Sequence, residues 1–171
     1  EERLGHAAAP AMSLVENTLM TSHSKDAIDK WGIINFNNIS AKTSSIVSEF
    51  DVRTPTLNNT AASLSGGNLQ KFVIGREILE NPKVFVVNQP TWGVDAAAAF
   101  IRQSILNLAS QQSAVIVISQ DLDELFEICD TFAVLTNGYM SKTYELGNLS
   151  SEDVGLLMGG SDLDLDSHAQ T

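Results

Sequence analysis

Two short apolar runs, separated by about one helix's length of chain, constrain the fold of this sequence most strongly. The runs cover residues 84–87 (VFVV) and 114–118 (AVIVI), and polar residues follow each run at once. Short β-branched runs of this kind are typical of buried strands. The Ala- and Leu-rich segment 95–109 between them is predicted to be helical. Strands that alternate with helices pack as a parallel sheet, so an α/β fold is expected.

The first third of the chain carries a different pattern, with apolar residues at helical spacing. Residues 12–20 and 36–50 are predicted to be helices, and Ser13 with Glu16 has the spacing of a capping box. Residues 53–62 are rich in Pro, Asn and Thr and predict a loop. Residues 1–62 are therefore predicted to be mainly helical, ahead of the strand-containing part.

After the second apolar run, the sequence predicts a short α/β ending. Asp121 is positioned to cap a helix, and a strand is expected over residues 132–136. The dipeptide Asn137-Gly138 favours a tight hairpin, which predicts an antiparallel return over 139–144. A last helix is expected over 151–158, and the Asp-containing segment 161–171 is predicted to be a disordered, solvated tail.

The segment 64–71 (LSGGNLQK) places a Ser-Gly-Gly turn at the start of a predicted helix, 66–80. Helix N-termini bind phosphate groups because their first amides lack helical acceptors and the helix dipole is positive there. Glycine lets the backbone approach an anion closely. Ser65 is suited to capping the helix or to donating its hydroxyl to a phosphate oxygen. A plain turn with an N-cap is the alternative interpretation.

Composition excludes some classes of partner. The chain has 171 residues, enough for one domain or most of one, and a formal net charge of −11. Nucleic-acid binding and adsorption to an anionic membrane both need surplus Lys and Arg, so neither is expected. No apolar run approaches the roughly 20 residues that span a bilayer.

Several segments, in this order, resemble the ATP-binding-cassette (ABC) ATPases. LSGGNLQK resembles their signature motif, VVNQPTWGVD their Walker B strand and D-loop, and VISQDLDEL their switch strand. The closest resemblance is to the second cassette of tandem ATPases in simple-sugar and nucleoside importers. The start of the chain, with MSLVEN at 12–17, is similar to the segment that follows the Q-loop. The resemblance covers nearly the whole chain.

The phosphate-cradling Walker A loop of that family is missing from the sequence. No G-x-x-x-x-G-K-[ST] occurs, so the chain is expected to be a C-terminal part of a cassette. The implied fold is a partial P-loop NTPase. Residues 1–62 are the post-Q-loop part of the helical subdomain, and residues 63–160 are the signature helix with the C-terminal half of the ATPase core. Alone, this chain is expected to be inactive and to hold neither ATP nor Mg²⁺ tightly.

Neutral amides stand where the resemblance implies charged groups. Asn88 occupies the position of the Asp that helps hold Mg²⁺, and it offers only a neutral carbonyl oxygen. Gln89 replaces the Glu that activates water, and an amide cannot accept that proton. Gln120 replaces the switch His. A strand end followed by a Pro turn is the alternative interpretation of Asn88 and Gln89.

ABC cassettes work as head-to-tail pairs, and the resemblance therefore implies an asymmetric mechanism. The signature of this chain would complete the ATP site of the partner cassette, while its own site would turn nucleotide over slowly or not at all. Asp95, at the D-loop position, would reach across the interface or simply cap a helix. Trp92 is expected either in that interface or in the core. The residues implied to contact the partner's ATP are Ser65, Gly66, Gly67, Asn68 and Gln70.

The resemblance also implies where the protein works and what it meets. Its partners would be a second cassette and transmembrane permease subunits, which the helical part would contact, although that part could instead only shield the sheet. The protein would lie at the cytoplasmic face of the membrane and meet the membrane only through the permease. As part of the intact tandem subunit, it would take part in ATP hydrolysis coupled to transport. The alternative function is a non-hydrolytic regulatory or interaction module derived from an ABC half.

Overall fold

The computed structural model describes residues 3–22, 27 and 32–160. The predicted tail, 161–171, lies outside the described residues. The chain divides into two compact units, Glu1–Gln120 and Asp121–Thr171. The predicted helical segment 1–62 and the first two strands therefore lie in the same unit, and the assignment of 1–62 to a separate subdomain stays a prediction.

The first unit contains four α-helices and two strands within the described residues. The helices are α1 (Leu14–Thr21), α2 (Phe36–Glu49), α3 (Gly66–Ile78) and α4 (Asp95–Ser110), and the strands are β1 (Val84–Asn88) and β2 (Ala114–Ile118). Short helical turns lie at Arg3–Ala7, kinked at Gly5, and at Ala61–Ser63.

Local sequence signals account for the helix starts in this unit. Ser13 caps α1 and forms the capping box that its spacing with Glu16 predicts. Asn35 caps α2 by accepting a hydrogen bond from the Asn38 amide. Helix α4 begins at Asp95 itself, so Val94 rather than Asp95 stands at the N-cap position, without a side-chain hydrogen bond. Asp95 is therefore the first residue of the helix and not its N-cap residue.

Strands β1 and β2 pair in parallel, as the alternation of strand and helix predicts. The register runs from Val84 opposite Ala114 to Asn88 opposite Ile118. One face of this sheet carries Phe85 and Val87 into the core, which they share with residues of the four helices. Fully buried members of this core are Leu14, Ile46, Phe72, Ile101 and Ile105.

The other face of the sheet is apolar and exposed. Val84 and Val86 are each 59% exposed, and Ile116 and Ile118 are each 53% exposed. Four large β-branched side chains thus form a continuous apolar surface on two adjacent strands, which we call the outer sheet face.

A buried polar network joins α3 to the start of the chain. Arg76, 5% exposed, donates to the carbonyl oxygens of Ala7 at 2.9 Å and Asn17 at 3.3 Å. Asn17, also buried, accepts from the Ala9 amide at 2.7 Å. Residues 7–9 are therefore held against the helix that carries the glycine turn, which gives that helix a fixed support.

The second unit contains two α-helices and four very short strands within the described residues. They are α5 (Leu122–Ile128), β3 (Thr131–Phe132), β4 (Leu135–Thr136), β5 (Tyr139–Met140), β6 (Tyr144–Glu145) and α6 (Ser151–Met158). A short helical turn lies at Leu146–Asn148. The unit has its own apolar core around Phe132, Tyr144, Val154 and Leu157.

The single strand predicted over 132–136 is wrong, because the chain forms two strands there that pair with different partners. β3 pairs antiparallel with β6, while β4 pairs antiparallel with β5. The hairpin at Asn137-Gly138 is confirmed, and both residues have positive φ, 49° and 81°. Asp121 caps α5 as predicted. None of the described helices is long and apolar enough to cross a membrane.

Candidate functional site

The glycine turn lies at the start of α3 with its outer side open to solvent. Ser65 and Gly66 are exposed, and Gly67 is half-buried. A Cβ built on Gly67 would meet no atom within 4 Å, so an approaching group has free access to the backbone there. The first amides of α3 therefore face a surface that another molecule can reach.

Ser65 caps α3 with its hydroxyl oxygen, and the capping bonds do not use its hydroxyl hydrogen. Its hydroxyl oxygen accepts from the Asn68 amide at 3.4 Å and from Asn68 Nδ2 at 3.0 Å. Both contacts use the oxygen as an acceptor, so the hydroxyl hydrogen takes no part in either of them. The two roles expected for Ser65, capping the helix and donating to an anion, are thus compatible.

Asn68 is held within the chain on both sides of its amide. Its Oδ1 accepts from the Arg53 amide at 2.9 Å, and its Nδ2 donates to Ser65. Asn68 therefore fixes the loop before the turn against the turn itself. In this arrangement its side chain shapes the glycine turn.

Gln70 lies on a different side of α3 from the exposed turn. It is 6% exposed, and its Nε2 donates to the carbonyl oxygen of Pro90 at 2.6 Å. The expected contact of Gln70 with a partner's nucleotide does not match this buried position. The structure uses the amide to join α3 to the segment that follows β1.

The lysine that follows Gln70 is also engaged within the chain. Lys71 Nζ donates to the Asp51 carboxylate at 2.9 Å and to the Asp51 carbonyl at 3.1 Å, and lies 5.3 Å from the centroid of the Phe100 ring. The hydrogen bond and the positive charge of Lys71 hold the pKa of Asp51 below its usual value. Lys71 thus anchors the end of α2 to α3.

The polar residues at the ends of the two parallel strands meet at one edge of the sheet. Asn88, the last residue of β1, is exposed and lies opposite Ile118. The backbone N–H of Gln89 donates a hydrogen bond to the backbone carbonyl oxygen of Ile118 at 2.7 Å. Gln120 follows Ile118 by two residues and is exposed. Asn88, Gln89 and Gln120 are therefore placed at the carboxyl edge of β1 and β2, as the sequence suggested.

These three side chains are neutral amides, and that limits their chemistry. An amide cannot take a proton from water at neutral pH, so none of them can serve as a general base. A neutral carbonyl oxygen is also a weaker ligand for Mg²⁺ than a carboxylate. Within the described residues, no cluster of three or more His, Cys, Asp or Glu side chains is arranged to hold a metal ion.

The segment 89–94 forms a strained, tightly bonded turn. Gln89, 9% exposed, has φ of 51°, which is uncommon for a residue with a Cβ, and Gly93 has φ of 64°. The Trp92 amide donates to the Gln89 carbonyl at 3.3 Å. Trp92 itself is 59% exposed, so of its two expected places the core of this chain is excluded. The side chain of Asp95 lies outside the described residues.

Sequence reasoning missed the joining role of Gln70. A glutamine beside the apolar residues Leu69 and Phe72 was a weak signal of a buried polar contact. The acceptor, however, is a backbone carbonyl 20 residues away, and nothing in the local pattern marks it.

Over most of its length, the sequence of this chain is similar to those of ATP-binding proteins of import systems. No family model matches it. It is 34% identical over 153 residues to the nucleoside import ATP-binding protein NupA of Lactococcus lactis, which covers 89% of this chain and 30% of that protein. It is 34% identical over 155 residues to the galactose/methyl galactoside import ATP-binding protein MglA of Mannheimia succiniciproducens, covering 90% and 30%.

A third relative is named for the import of a further solute, guanosine. The guanosine import ATP-binding protein NupO of Bacillus subtilis is 33% identical over 162 residues, which covers 94% of this chain and 32% of that protein. The chain thus spans about a third of the length of the curated relatives it matches.

Solved structures with the same fold are ABC cassettes. A dimeric post-hydrolysis cassette bound to ADP and Pi has a TM-score of 0.66 and 19% identity, with 84% of this chain and 61% of that chain covered. An inward-facing ABC transporter of the metal-chelate type has a TM-score of 0.69 and 22% identity, with 89% and 60% covered. The predicted partial ABC ATPase fold is confirmed.

Proposed function

Because the chain has the fold of an ABC ATPase and is homologous over most of its length to ATP-binding proteins of sugar and nucleoside import, we propose that it is a C-terminal part of such a subunit. In the intact assembly its glycine turn closes over an ATP held by a partner cassette. Its own strand end does not hydrolyse nucleotide. The energy of the partner's ATP drives import of a simple sugar or nucleoside.

The observation that carries this proposal is the exposed Ser65-Gly66 start of α3. The turn offers backbone amides, a positive helix end and the unused hydroxyl hydrogen of Ser65 to an anion. These groups lie together at the exposed start of α3. A group arranged in advance towards developing charge contributes most to the rate of phosphoryl transfer.

The neutral strand end supports the second half of the proposal. When bound, Mg²⁺ would supply charge neutralisation on the phosphates, and Asn88 provides only a neutral oxygen towards it. Gln89 and Gln120 supply hydrogen bonds but no base. The role of this edge is therefore to hold a nucleotide, or the shape of its site, without cleaving it.

The partners proposed are a second ABC cassette and membrane permease subunits. The helices before residue 62 are proposed to meet the permease at the cytoplasmic face of the membrane. The net charge of −11 disfavours nucleic acid as a partner. By itself this chain is proposed to lack ATPase activity, because the phosphate-cradling loop is not in its sequence.

The test of the glycine turn is Ser65→Asp in the full-length two-cassette protein. Aspartate caps helices as well as serine does, so α3 keeps its start. Its negative charge would lie where the partner's phosphate belongs, and we expect ATPase activity to fall about a hundredfold or more. Asn35→Asp, which adds the same charge at the N-cap of α2, is the matched control; in the two-cassette protein assayed without permease subunits it should leave activity unchanged.

Wild-type ATPase activity in Ser65→Asp would overturn the proposal and favour a non-hydrolytic interaction module. The strand end is tested separately by the double variant Asn88→Asp, Gln89→Glu. It restores the charged pair, and we expect additional ATP turnover at this cassette's own site. Asn107→Asp on α4 with Gln111→Glu at its C-cap changes two exposed residues, adds the same charge and serves as its control.

A further inference from the structure

Gln70 is a buried polar side chain on α3. It is 6% exposed, Leu69 before it is 3% exposed, and Phe72 two residues later is fully buried. Burying an amide costs free energy unless hydrogen bonds replace its contacts with water. The bond from Nε2 to the Pro90 carbonyl at 2.6 Å supplies one such contact. The chain therefore keeps a polar group where an apolar one would pack.

The buried carbonyl oxygen of Pro90 is the acceptor of this hydrogen bond from Gln70. It is among the most completely buried residues of the chain, with less than 2% exposure. A buried carbonyl oxygen that loses its donor is costly, because water cannot readily replace it. The bond thus restrains the turn at Pro90 through its main chain, one residue after Gln89 with its φ of 51°.

Two anchors fix the segment 89–94. The backbone N–H of Gln89 donates a hydrogen bond to the Ile118 carbonyl oxygen at 2.7 Å, which ties the beginning of the turn to β2. The Pro90 carbonyl is bonded to Gln70, which ties the next residue to α3. The first bond joins neighbouring strand ends, whereas the second joins the turn to the helix that begins with Ser65.

We infer that Gln70 is a positioning residue that fixes the turn 89–94, with its exposed Trp92, relative to the glycine turn. Gln70 is five residues from Ser65 on the same α-helix, so about 7.5 Å of rigid helix separates them. Both exposed elements would therefore meet the partner cassette as one preset surface. This inference rests on the proposed function, since it concerns the same nucleotide-closing surface.

The test uses two substitutions in the full-length two-cassette protein. Gln70→Met keeps the length and packing of the side chain but removes the donor. Gln70→Glu keeps the shape but places a carboxylate against the Pro90 carbonyl. We expect both to lower kcat for ATP about tenfold or more, because small misplacement of a reacting assembly is costly. KM for ATP should not change, since the partner's own loop holds ATP before closure.

The matched controls are Gln103→Met and Gln103→Glu. Gln103 is an exposed glutamine on α4 whose Nε2 donates to Asn107 at 3.0 Å, so the same changes are made at an amide that joins nothing distant. Wild-type kcat in Gln70→Met would show that packing alone is needed and would overturn the inference. A parallel fall in kcat with the controls would also overturn it.

Hydrogen exchange provides a second readout that does not require activity. The amides of Trp92 and Val94 are bonded to the Gln89 and Thr91 carbonyls, at 3.3 and 3.2 Å. In Gln70→Met we expect both to exchange faster while amides in the middle of α3 keep their protection. Unchanged exchange at Trp92 and Val94 would contradict a positioning role.

Ser65→Asp, measured in the same background, separates this inference from the proposed function. If Ser65→Asp leaves ATPase activity intact, the proposed function fails. If Ser65→Asp abolishes activity but Gln70→Met behaves like its control, only the positioning role of Gln70 fails.

Discussion

Gly75 of α3 lies directly against the ring of Phe50, at the end of α2. A Cβ built on Gly75 would come within 2.5 Å of Phe50 Cγ, closer than real carbon atoms approach. The Phe50 ring is itself held edge-on by Phe100 of α4, with centroids 5.8 Å apart and planes at 83°. The absence of a side chain at Gly75 thus lets three helices pack around one ring.

The first prediction concerns this contact. Gly75→Ala should lower the free energy of unfolding by about 1–3 kcal/mol, because the added methyl forces the Phe50 ring to move. Alanine is otherwise favoured over glycine in helices by about 1 kcal/mol. Gly67→Ala on the same helix meets nothing within 4 Å and should not destabilise the protein. Urea unfolding of both variants measures the difference, and equal stability would contradict the packing described.

The second prediction concerns the outer sheet face. An exposed apolar surface of this kind is expected to make the 171-residue chain self-associate. Val86→Thr with Ile116→Thr should reduce that self-association, because both side chains are more than half exposed. Threonine preserves the strand propensity. Sedimentation velocity of the two proteins at several concentrations measures the change.

The matched control places the same change on the inner face. Val87→Thr alters a side chain that is 8% exposed, and should lower stability without reducing self-association. Equal self-association of wild type and the outer-face variant would show that these side chains do not drive association.

The third prediction concerns the pH dependence of the Asp51–Lys71 pair. Because Lys71 lowers the pKa of Asp51 in the folded chain, the pair stabilises the fold above the unfolded carboxyl pKa. This contribution is lost as pH falls through the folded pKa. Asp51→Asn removes the charge but suits the positive φ of 46° at this position. The stability gap between wild type and Asp51→Asn should therefore be largest at neutral pH and close in acid.

The measurement is urea unfolding of both proteins between neutral pH and strong acid. Because Asp51 is exposed at the surface, high salt should also narrow the gap at neutral pH. A gap that stays constant as the pH falls would show that the Asp51 charge is not its source.

Local sequence signals were sufficient for most element boundaries in this fold. The capping serine Ser13, the capping Asp121 and the Asn137-Gly138 hairpin act through residues three or fewer positions away, so short patterns record them. The break between β3 and β4 could not be read in this way. It exists because Phe132 pairs with Tyr144 while Thr136 pairs with Tyr139, and both pairings depend on the tertiary arrangement.

The positions of the site residues in the secondary structure were predictable from the sequence, but the hydrogen bond that joins α3 to the turn after β1 was not. The exposed glycine turn and the amides at the strand ends follow from motif order, because parallel strands bring their carboxyl ends to one edge. The burial of Gln70 did not follow, since a motif records which residues are present but not which way each side chain faces around the helix. Its acceptor, the Pro90 carbonyl, has no sequence signature at all.

In the proposed function, the glycine turn serves the partner's ATP, and the strand end at Asn88 and Gln89 does not cleave nucleotide. The most direct test is the nucleotide content of the full-length two-cassette protein after one round of hydrolysis, trapped with vanadate and separated from free nucleotide. Cleavage at one site alone predicts trapped ADP at no more than one molecule per two-cassette protein, with any second nucleotide recovered as uncleaved ATP. ADP at both sites would contradict it.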